Sequence, residues 1–241
     1  MTARFAVLGA GRIGQVHARA ISSTAGASLV AVADALPAAA EAMAGTYGCD
    51  IRSIDAIEKA TDVDAVVICT PTDTHADLIE RFARAGKAIF CEKPVDLSID
   101  RVRRCLDVVD QTGATLMVGF NRRFDPDFIA SKAAIDRGAI GKVEMVTITS
   151  RDPGAPPLDY IPRSGGIFRD MTIHDFDMAR YVAGSEVVEV YAQAAVRVDP
   201  AIGEAGDVER PLRLVRPRAV GQHDQLQGHR ASSGAAAGST T

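Results

Sequence analysis

The chain has 241 residues, of which 47% are hydrophobic, and a formal net charge of −4 at pH 7. This length can bury one large core or two modest ones, and the net negative charge gives no electrostatic reason to expect binding to nucleic acids or anionic membranes. No apolar stretch is long enough for a membrane-spanning helix. The four cysteines are widely spaced without a CxxC pair, and the first residues do not resemble a signal peptide, so we expect reduced thiols in a cytoplasmic protein.

Short apolar runs alternate with helical patterns over the first 120 residues. The predicted strands are Arg4–Leu8, Ser28–Ala33, Ala65–Cys69, Lys87–Cys91 and Thr115–Gly119. The predicted helices between them lie near Gln15–Ser23, Pro37–Thr46, Thr74–Ala85 and Ile99–Gln111. This alternation predicts an α/β fold with a parallel sheet that is covered by helices on both faces.

A glycine-rich motif, GAGRIG at residues 9–14, directly follows the first predicted strand and opens a helical pattern. In a dinucleotide-binding turn the first glycine permits the tight bend, the second admits the pyrophosphate and the third allows close packing of helix on strand. The free N–H groups of the helix N-terminus attract the phosphates. Alone, the motif also fits an ordinary glycine-rich turn; in this context it predicts a Rossmann domain over residues 1–120. The predicted cofactor contacts are Gly9, Gly11, Arg12, Ile13 and Gly14.

Asp34 ends the second predicted strand, twenty residues after Gly14. A carboxylate there accepts a hydrogen bond from the adenosine ribose 2′-hydroxyl and repels a 2′-phosphate. No Lys or Arg occurs between Asp34 and Arg52 to bind such a phosphate. The sequence therefore favours NAD over NADP, although the same aspartate also fits a residue that caps the next helix.

Two further motifs follow predicted strands, at the sheet edge where open α/β folds bind ligands. Thr70, Pro71, Thr72 and His75 are predicted to line the nicotinamide side of the cofactor, or else to form a proline turn with an N-cap. The motif Glu92-Lys93-Pro94 ends the next strand. Glu92 is a predicted cofactor contact, and Lys93 could stabilise charge on a reacting oxygen or be a solvated loop lysine.

A second, α+β domain is predicted over residues 121–208. Asp125–Arg137 looks helical, Lys142–Ser150 alternates as a strand with one wet face does, and Val187–Val198 resembles another strand. The segment 152–166 is rich in Pro and Gly and predicts a loop.

Gly165–Tyr181, GGIFRDMTIHDFDMARY, is predicted to be helical and to group ionisable side chains on one face. Asp170, His174 and Asp177 stand at i, i+4 and i+7. Two carboxylates and an imidazole in that arrangement suit proton transfer near neutral pH. The alternative is an exposed acidic face. No metal is implied, because further ligands are missing.

Together these motifs resemble the family of glucose–fructose oxidoreductase and inositol 2-dehydrogenase. The resemblance runs from about residue 3 to about residue 208, in an order that is more specific than any single motif, and it is closest to the inositol 2-dehydrogenases. The matching pieces are GAGRIGQVHA, CTPTDTHADL, EKP, GFNRRFDP, SRDPGAPP and GGIFRDMTIHDFDMARY.

The resemblance implies an NAD-dependent oxidoreductase that oxidises a cyclic polyol, and it implies homo-oligomers. Lys93, Asp170 and His174 would be catalytic: His174 would accept the hydroxyl proton, Lys93 would hold the same oxygen and Asp170 would orient its partners. The residues that would surround the polyol are Lys93, Asn121, Arg122, Asp152, Asp170, Thr172, His174 and Asp177. Arg122 and Arg123 equally fit surface cations.

Residues 209–241 depart from the family pattern. They contain no aromatic residue, show no sustained period of 2 or 3.6 and close in a Gly/Ala/Ser/Thr tract. This composition predicts a disordered tail and suggests a truncation or a shifted reading frame. We expect the Rossmann domain to fold, with substrate binding, oligomerisation and turnover impaired. A non-catalytic NAD-binding sensor and a dehydrogenase of another sugar stay open as alternatives.

Overall fold

The structure, a computed structural model, describes residues 2–152, 154–192, 196, 199–204 and 212–215. Its main feature is a six-stranded parallel sheet with the order β3-β2-β1-β4-β5-β6. The strands are β1 (Ala3–Leu8), β2 (Ala27–Ala33), β3 (Asp50–Ile51), β4 (Ala65–Ile68), β5 (Ala88–Cys91) and β6 (Leu116–Val118). The five predicted strands are confirmed to within one residue at each end, whereas the short edge strand β3 was not predicted.

Helices connect these parallel strands, and such crossovers are almost always right-handed. They are α1 (Arg12–Ser23), α2 (Pro37–Tyr47), α3 (Ile54–Lys59), α4 (His75–Arg84) and α5 (Ile99–Thr112). The four predicted helices are confirmed, and α1 begins earlier than predicted because the glycine motif supplies its first turn. Helix α3 was missed; it starts at the N-cap Ser53, whose hydroxyl accepts from the Ala56 amide at 3.1 Å.

The sheet separates two apolar cores, as the alternation of side chains along β1 requires. Ala6 and Leu8 belong to one core, which α3, α4 and α5 cover, whereas Val7 belongs to the other, beneath α1 and α2. All three side chains are fully buried. Burial on both faces explains why the strands are continuous apolar runs.

The part after residue 120 is α+β, with two described strands. Its helices are α6 (Pro126–Asp136), α7 (Ile161–Ser164), α8 (Gly166–Asp170), α9 (Ile173–Ala183) and α10 (Pro200–Glu204), and its antiparallel strands are β7 (Glu189–Ala192) and β8 (Leu212–Val215). Helix α7 lies inside the predicted loop. Strand β8 lies inside the predicted tail, the rest of which is outside the described residues.

The predicted strand Lys142–Ser150 is wrong: this segment is described and contains no strand. Met145 is 82% exposed and Ile148 is 39% exposed. A period of two predicts a strand only where a neighbouring strand supplies hydrogen bonds, and none of the described strands lies beside this segment.

The predicted single helix Gly165–Tyr181 is also wrong, because the chain turns between α8 and α9. The amides of Met171 and Thr172 both donate to the Ile167 carbonyl, at 3.1 and 2.8 Å. The Thr172 hydroxyl donates to the same oxygen at 3.1 Å. These bonds end α8 at Asp170, so that Asp170 is not on the helix that carries His174.

Candidate active site

The glycine turn is built from backbone that approaches too closely for side chains. Gly9 has φ +97°, and a Cβ there would lie 2.6 Å from the Cys69 carbonyl oxygen, beside the end of β4. A Cβ on Gly14 would lie 1.9 Å from the Gly9 carbonyl oxygen. The absence of side chains at these two glycines therefore allows β1, α1 and β4 to pack closely.

Gly11 has a different surrounding. It is the N-cap of α1, no side chain caps the helix, and a Cβ on Gly11 would meet nothing within 4 Å. The first N–H groups of α1 thus have no side-chain cap, and the space beside Gly11 is open, which fits the pyrophosphate of a dinucleotide. Arg12 is exposed and Ile13 is half-buried in the first turn of the helix.

Asp34 supports the turn directly. Its Oδ2 accepts from the Ala10 amide at 2.6 Å, and its Oδ1 accepts from the Leu36 amide at 2.7 Å. The carboxylate thus ties the end of β2 to the glycine turn. Each oxygen retains a free lone pair, so the structural and the ribose-binding interpretations are compatible.

The segment after β4 forms a compact rim. The hydroxyls of Thr70 and Thr74 lie 2.6 Å apart, and Thr74 also donates to the Pro71 carbonyl at 2.8 Å. Pro71 is exposed and Thr72 is half-buried. His75 is only 2% exposed, with both ring nitrogens facing backbone carbonyls. Its ring is thus engaged within the chain, whereas the sequence predicted a contact with the cofactor.

Glu92 has a partner that sequence reasoning missed. Its Oε1 lies 2.7 Å from Nε2 of His17 on α1, whose ring is 4.8 Å from that of Phe90. A Cβ on Gly119 would come within 3.0 Å of the Glu92 carboxylate. The sequence feature that could have indicated this contact is the position of His17, one turn beyond the glycine motif on the side of α1 that meets the sheet.

Lys93 reaches across to the second part of the chain. Its Nζ donates to the backbone oxygen of Asp170 at 2.6 Å and to its Oδ1 at 2.8 Å. The two side chains are 16% and 30% exposed. A partly dehydrated ion pair with two hydrogen bonds fixes the ammonium group more firmly than a surface pair would.

His174 lies in the same region, on the first turn of α9. Burial lowers its pKa, and the positive charges of Lys93 and Arg122 lower it further. Its Nδ1 is buried and has no hydrogen-bond partner among the described residues. A neutral imidazole is suited to accept a proton from a ligand hydroxyl.

Tyr160 is a second residue that sequence reasoning missed. Burial, the charge of Asp170 and a hydrogen bond to it raise the pKa of Tyr160 to about 12. The phenol therefore keeps its proton and can donate to the carboxylate. The motif SRDPGAPP precedes it by only a few residues, but nothing in the spacing indicated contact with Asp170.

The remaining predicted substrate residues either bond to other residues of the chain or are exposed. Arg122 pairs with Asp175, and Thr172 bonds back to α8. Asp177 is 7% exposed and accepts two bonds from Arg123, at 2.8 and 2.6 Å. The exposed residues are Asn121 and Asp152.

The chain matches two models of one family. Residues 3–120 match the model described as "Oxidoreductase family, NAD-binding Rossmann fold", and residues 128–224 match the "GFO/IDH/MocA C-terminal domain". The chain belongs to the GFO/IDH/MocA family. The second match continues beyond residue 208, where the recognised motifs end.

Relatives of this family support the assignment in both sequence and structure. The chain is 74% identical over 209 residues to "Inositol 2-dehydrogenase" of Rhizobium meliloti (strain 1021), which covers 87% of this chain and 63% of that protein. It resembles a myo-inositol dehydrogenase structure from Corynebacterium glutamicum ATCC 13032, with TM-score 0.83 and 44% identity over 89% of this chain and 65% of that one. A scyllo-inositol dehydrogenase from Lactobacillus casei with bound NAD(H) and scyllo-inositol gives TM-score 0.74 and 28% identity, covering 89% of this chain and 66% of that one.

The chain thus spans somewhat less than two thirds of the length of the curated relatives it matches, between 60% and 64% for the first three. Within the described residues, no helix is long and apolar enough to cross a membrane. Over the same part of the chain, no three His, Cys, Asp or Glu side chains form a group that could hold a metal ion.

Proposed function

We propose that the protein is an NAD-dependent oxidoreductase that oxidises a cyclic polyol, myo-inositol first, to the 2-keto product. The observation that carries this proposal is the convergence of Lys93, Asp170 and His174. Asp170 and His174 come from the second part of the chain, and Lys93 comes from the rim of β5, the segment Glu92–Pro94 that follows this strand. A neutral imidazole near a lysine that is held in place suits removal of a hydroxyl proton, because the imidazole can accept the proton and the ammonium group can stabilise the charge.

The roles follow from charge and hydrogen bonding. The lowered pKa of His174 keeps its imidazole neutral near pH 7, so that the ring can accept the proton of the substrate hydroxyl. The Lys93 ammonium group stabilises negative charge on that oxygen, and Asp170 holds Lys93 in place. NAD supplies the acceptor for the hydride that leaves the adjacent carbon.

The dinucleotide would bind along the carboxyl edge of the sheet. Gly11 and the first turn of α1 would hold the pyrophosphate, and Asp34 would accept from the ribose 2′-hydroxyl and disfavour a 2′-phosphate. Thr70, Pro71 and Glu92 would lie on the nicotinamide side. We therefore propose NAD rather than NADP.

A polyol is proposed because the side chains near His174 are rich in donors and acceptors that match ring hydroxyls. Asn121, Arg122, Asp152 and Thr172 would provide this surrounding, whereas the bidentate contact of Asp177 with Arg123 gives that carboxylate a supporting role. The named relatives act on myo- and scyllo-inositol, which differ at one hydroxyl. All four cysteines are unpaired, which fits a reducing compartment, and we propose the cytoplasm.

The direct test is NADH formation after the purified chain is mixed with NAD⁺ and a panel of polyols. We expect turnover with myo-inositol, and we expect Lys93→Met and His174→Asn each to lower kcat by about two to four orders of magnitude. Lys142→Met is the matched control, since this lysine is 71% exposed and pairs only with Glu144 among the contacts described. Wild-type turnover that both site variants retain would contradict the proposal.

A second candidate is NAD binding without turnover. It is favoured by the exposed apolar side chains around β7: Val188 is 66% and Val190 is 59% exposed, so this side of the second domain is loosely packed. NADH fluorescence on binding, without NADH formation from any polyol in the panel, would identify this second function.

A further inference from the structure

His75 is the first residue of α4, and it lies between the two rims that carry the predicted nicotinamide contacts and the catalytic lysine. One ring nitrogen, Nε2, is 2.8 Å from the Thr70 carbonyl oxygen at the end of β4. The other, Nδ1, is 2.7 Å from the Pro94 carbonyl oxygen, one residue beyond Lys93. At 2% exposure, this ring is among the most deeply buried polar groups of the described residues.

The His75 ring links the segments after β4 and β5 beyond the last backbone hydrogen bond between these two strands. The last ladder bond between β4 and β5 runs from the Glu92 amide to the Ile68 carbonyl at 3.0 Å. Pro94 has no N–H group and cannot continue the ladder. The imidazole therefore joins the two rims at the point where backbone pairing between them has ended.

The contacts of the His75 ring connect the glycine turn on one side with Lys93 and Asp170 on the other. The Thr70 rim begins at Cys69, whose carbonyl packs against Gly9. On the other side Pro94 adjoins Lys93, which bonds to Asp170. A shift of the β5 rim would therefore move the lysine relative to the glycine turn, although His75 itself touches neither group.

We propose that His75 is a positioning residue: its ring holds the rim of β5 against that of β4 and thereby places Lys93 over the cofactor site. The catalytic consequence rests on the proposed function of Lys93, but the placement does not. Carbonyl oxygens only accept hydrogen bonds, and a neutral imidazole carries a single N–H group. The ring therefore donates to one of the two carbonyls, while its other nitrogen packs against the second. Loss of the ring leaves two buried carbonyls without it.

The test compares three variants of the full chain. His75→Leu fills the space and removes both nitrogens, and His75→Gln keeps a side-chain amide that can donate to one rim. Cys105→Ala is the matched control: Cys105 is fully buried on α5, its Sγ lies 3.7 Å from the Ala76 carbonyl oxygen, and no described hydrogen bond joins it to Thr70 or Pro94. Like His75→Leu it should lower the melting temperature, but through packing alone.

The first readout is independent of turnover. Lys93 is labelled with an amine-reactive reagent under native conditions, and its modification is measured by mass spectrometry against Lys142. We expect faster labelling of Lys93 in His75→Leu, a smaller increase in His75→Gln and no change in Cys105→Ala. Labelling of Lys93 at the wild-type rate in a folded His75→Leu chain overturns the proposal.

The second readout is the separation of kcat from KM. A displaced lysine lowers kcat of the folded enzyme by about ten- to a hundredfold, while the KM for NAD⁺ changes little because the glycine turn is intact. If the wild-type chain shows no turnover, the proposed function fails, and the labelling result still decides whether His75 positions Lys93. Equal kcat values for folded wild type and His75→Leu, with turnover present, overturn the proposal as well.

Discussion

Two glycines of the same turn should respond in opposite ways to one added methyl group. In Gly14→Ala the new Cβ would lie 1.9 Å from the Gly9 carbonyl oxygen, about 1.5 Å closer than van der Waals contact allows. The backbone of α1 or of the turn must move. Overpacking of this kind costs about 1–3 kcal/mol or more, which lowers the melting temperature by about 2–12 °C in a chain of this size.

Gly11→Ala should leave the fold almost unchanged. Gly11 has φ −69° and ψ −168°, and its added Cβ would meet nothing within 4 Å. The entropic gain of about 0.4–1 kcal/mol is offset by the weaker N-cap preference of alanine. The methyl group would, however, occupy the space in front of α1. Losing one charge-assisted hydrogen bond to the pyrophosphate removes about 1.5–3 kcal/mol, or about ten- to a hundredfold in NADH affinity.

The assay is thermal unfolding by circular dichroism combined with an NADH fluorescence titration of each variant. The expected pattern is a lowered melting temperature for Gly14→Ala and a normal melting temperature with weak NADH binding for Gly11→Ala. If Gly11→Ala binds NADH as tightly as wild type does, the open space at Gly11 is not the pyrophosphate site, and the proposed binding of the dinucleotide at the first turn of α1 is wrong.

Four further outcomes are expected. Asp34→Asn should raise the affinity for NADPH relative to NADH, since the negative charge opposite a 2′-phosphate is gone; an unchanged ratio of the two dissociation constants would show that Asp34 only supports the turn. The pKa of His174 should lie below its ordinary value of about 6.5, and Lys93→Met should raise it in an NMR titration, because a nearby positive charge is removed. Unfolding restores the ordinary pKa of His174, so the unfolded chain binds this proton at a higher pH than the folded chain does. The free energy of unfolding should therefore fall as the pH drops below about 6.5 and level off below the lowered pKa. Urea unfolding at several pH values would reveal or refute this trend. Arg123→Met should destabilise the fold by about 2 kcal/mol, because it leaves the buried Asp177 carboxylate without its partner, whereas the double variant Arg123→Met/Asp177→Leu should recover part of the loss in the same experiment.

The amino-acid sequence alone was sufficient for the Rossmann domain. Its strands are continuous apolar runs, and the turn after β1 carries glycines at a fixed spacing, so these local signals agree with one architecture. The predicted tight bend at Gly9, the close packing at Gly14 and strand β5 match the structure, whereas the contacts of the two glycines with a cofactor stay predictions. Local signals were weak for β3 and α3, which are short and lie at the edge of the sheet.

Tertiary structure alone decided how the ionisable groups are combined. Periodicity placed Asp170 and His174 on one helix, but backbone bonds to the Ile167 carbonyl separate them. Lys93, which follows β5, bonds to Asp170 across 77 positions of the chain. The pairing of Asp177 with Arg123, of Glu92 with His17 and of the His75 ring with two carbonyls has the same origin. Helical periodicity describes neighbours within about two turns of chain, whereas these contacts depend on the crossing of distant segments and on burial, which no residue spacing encodes.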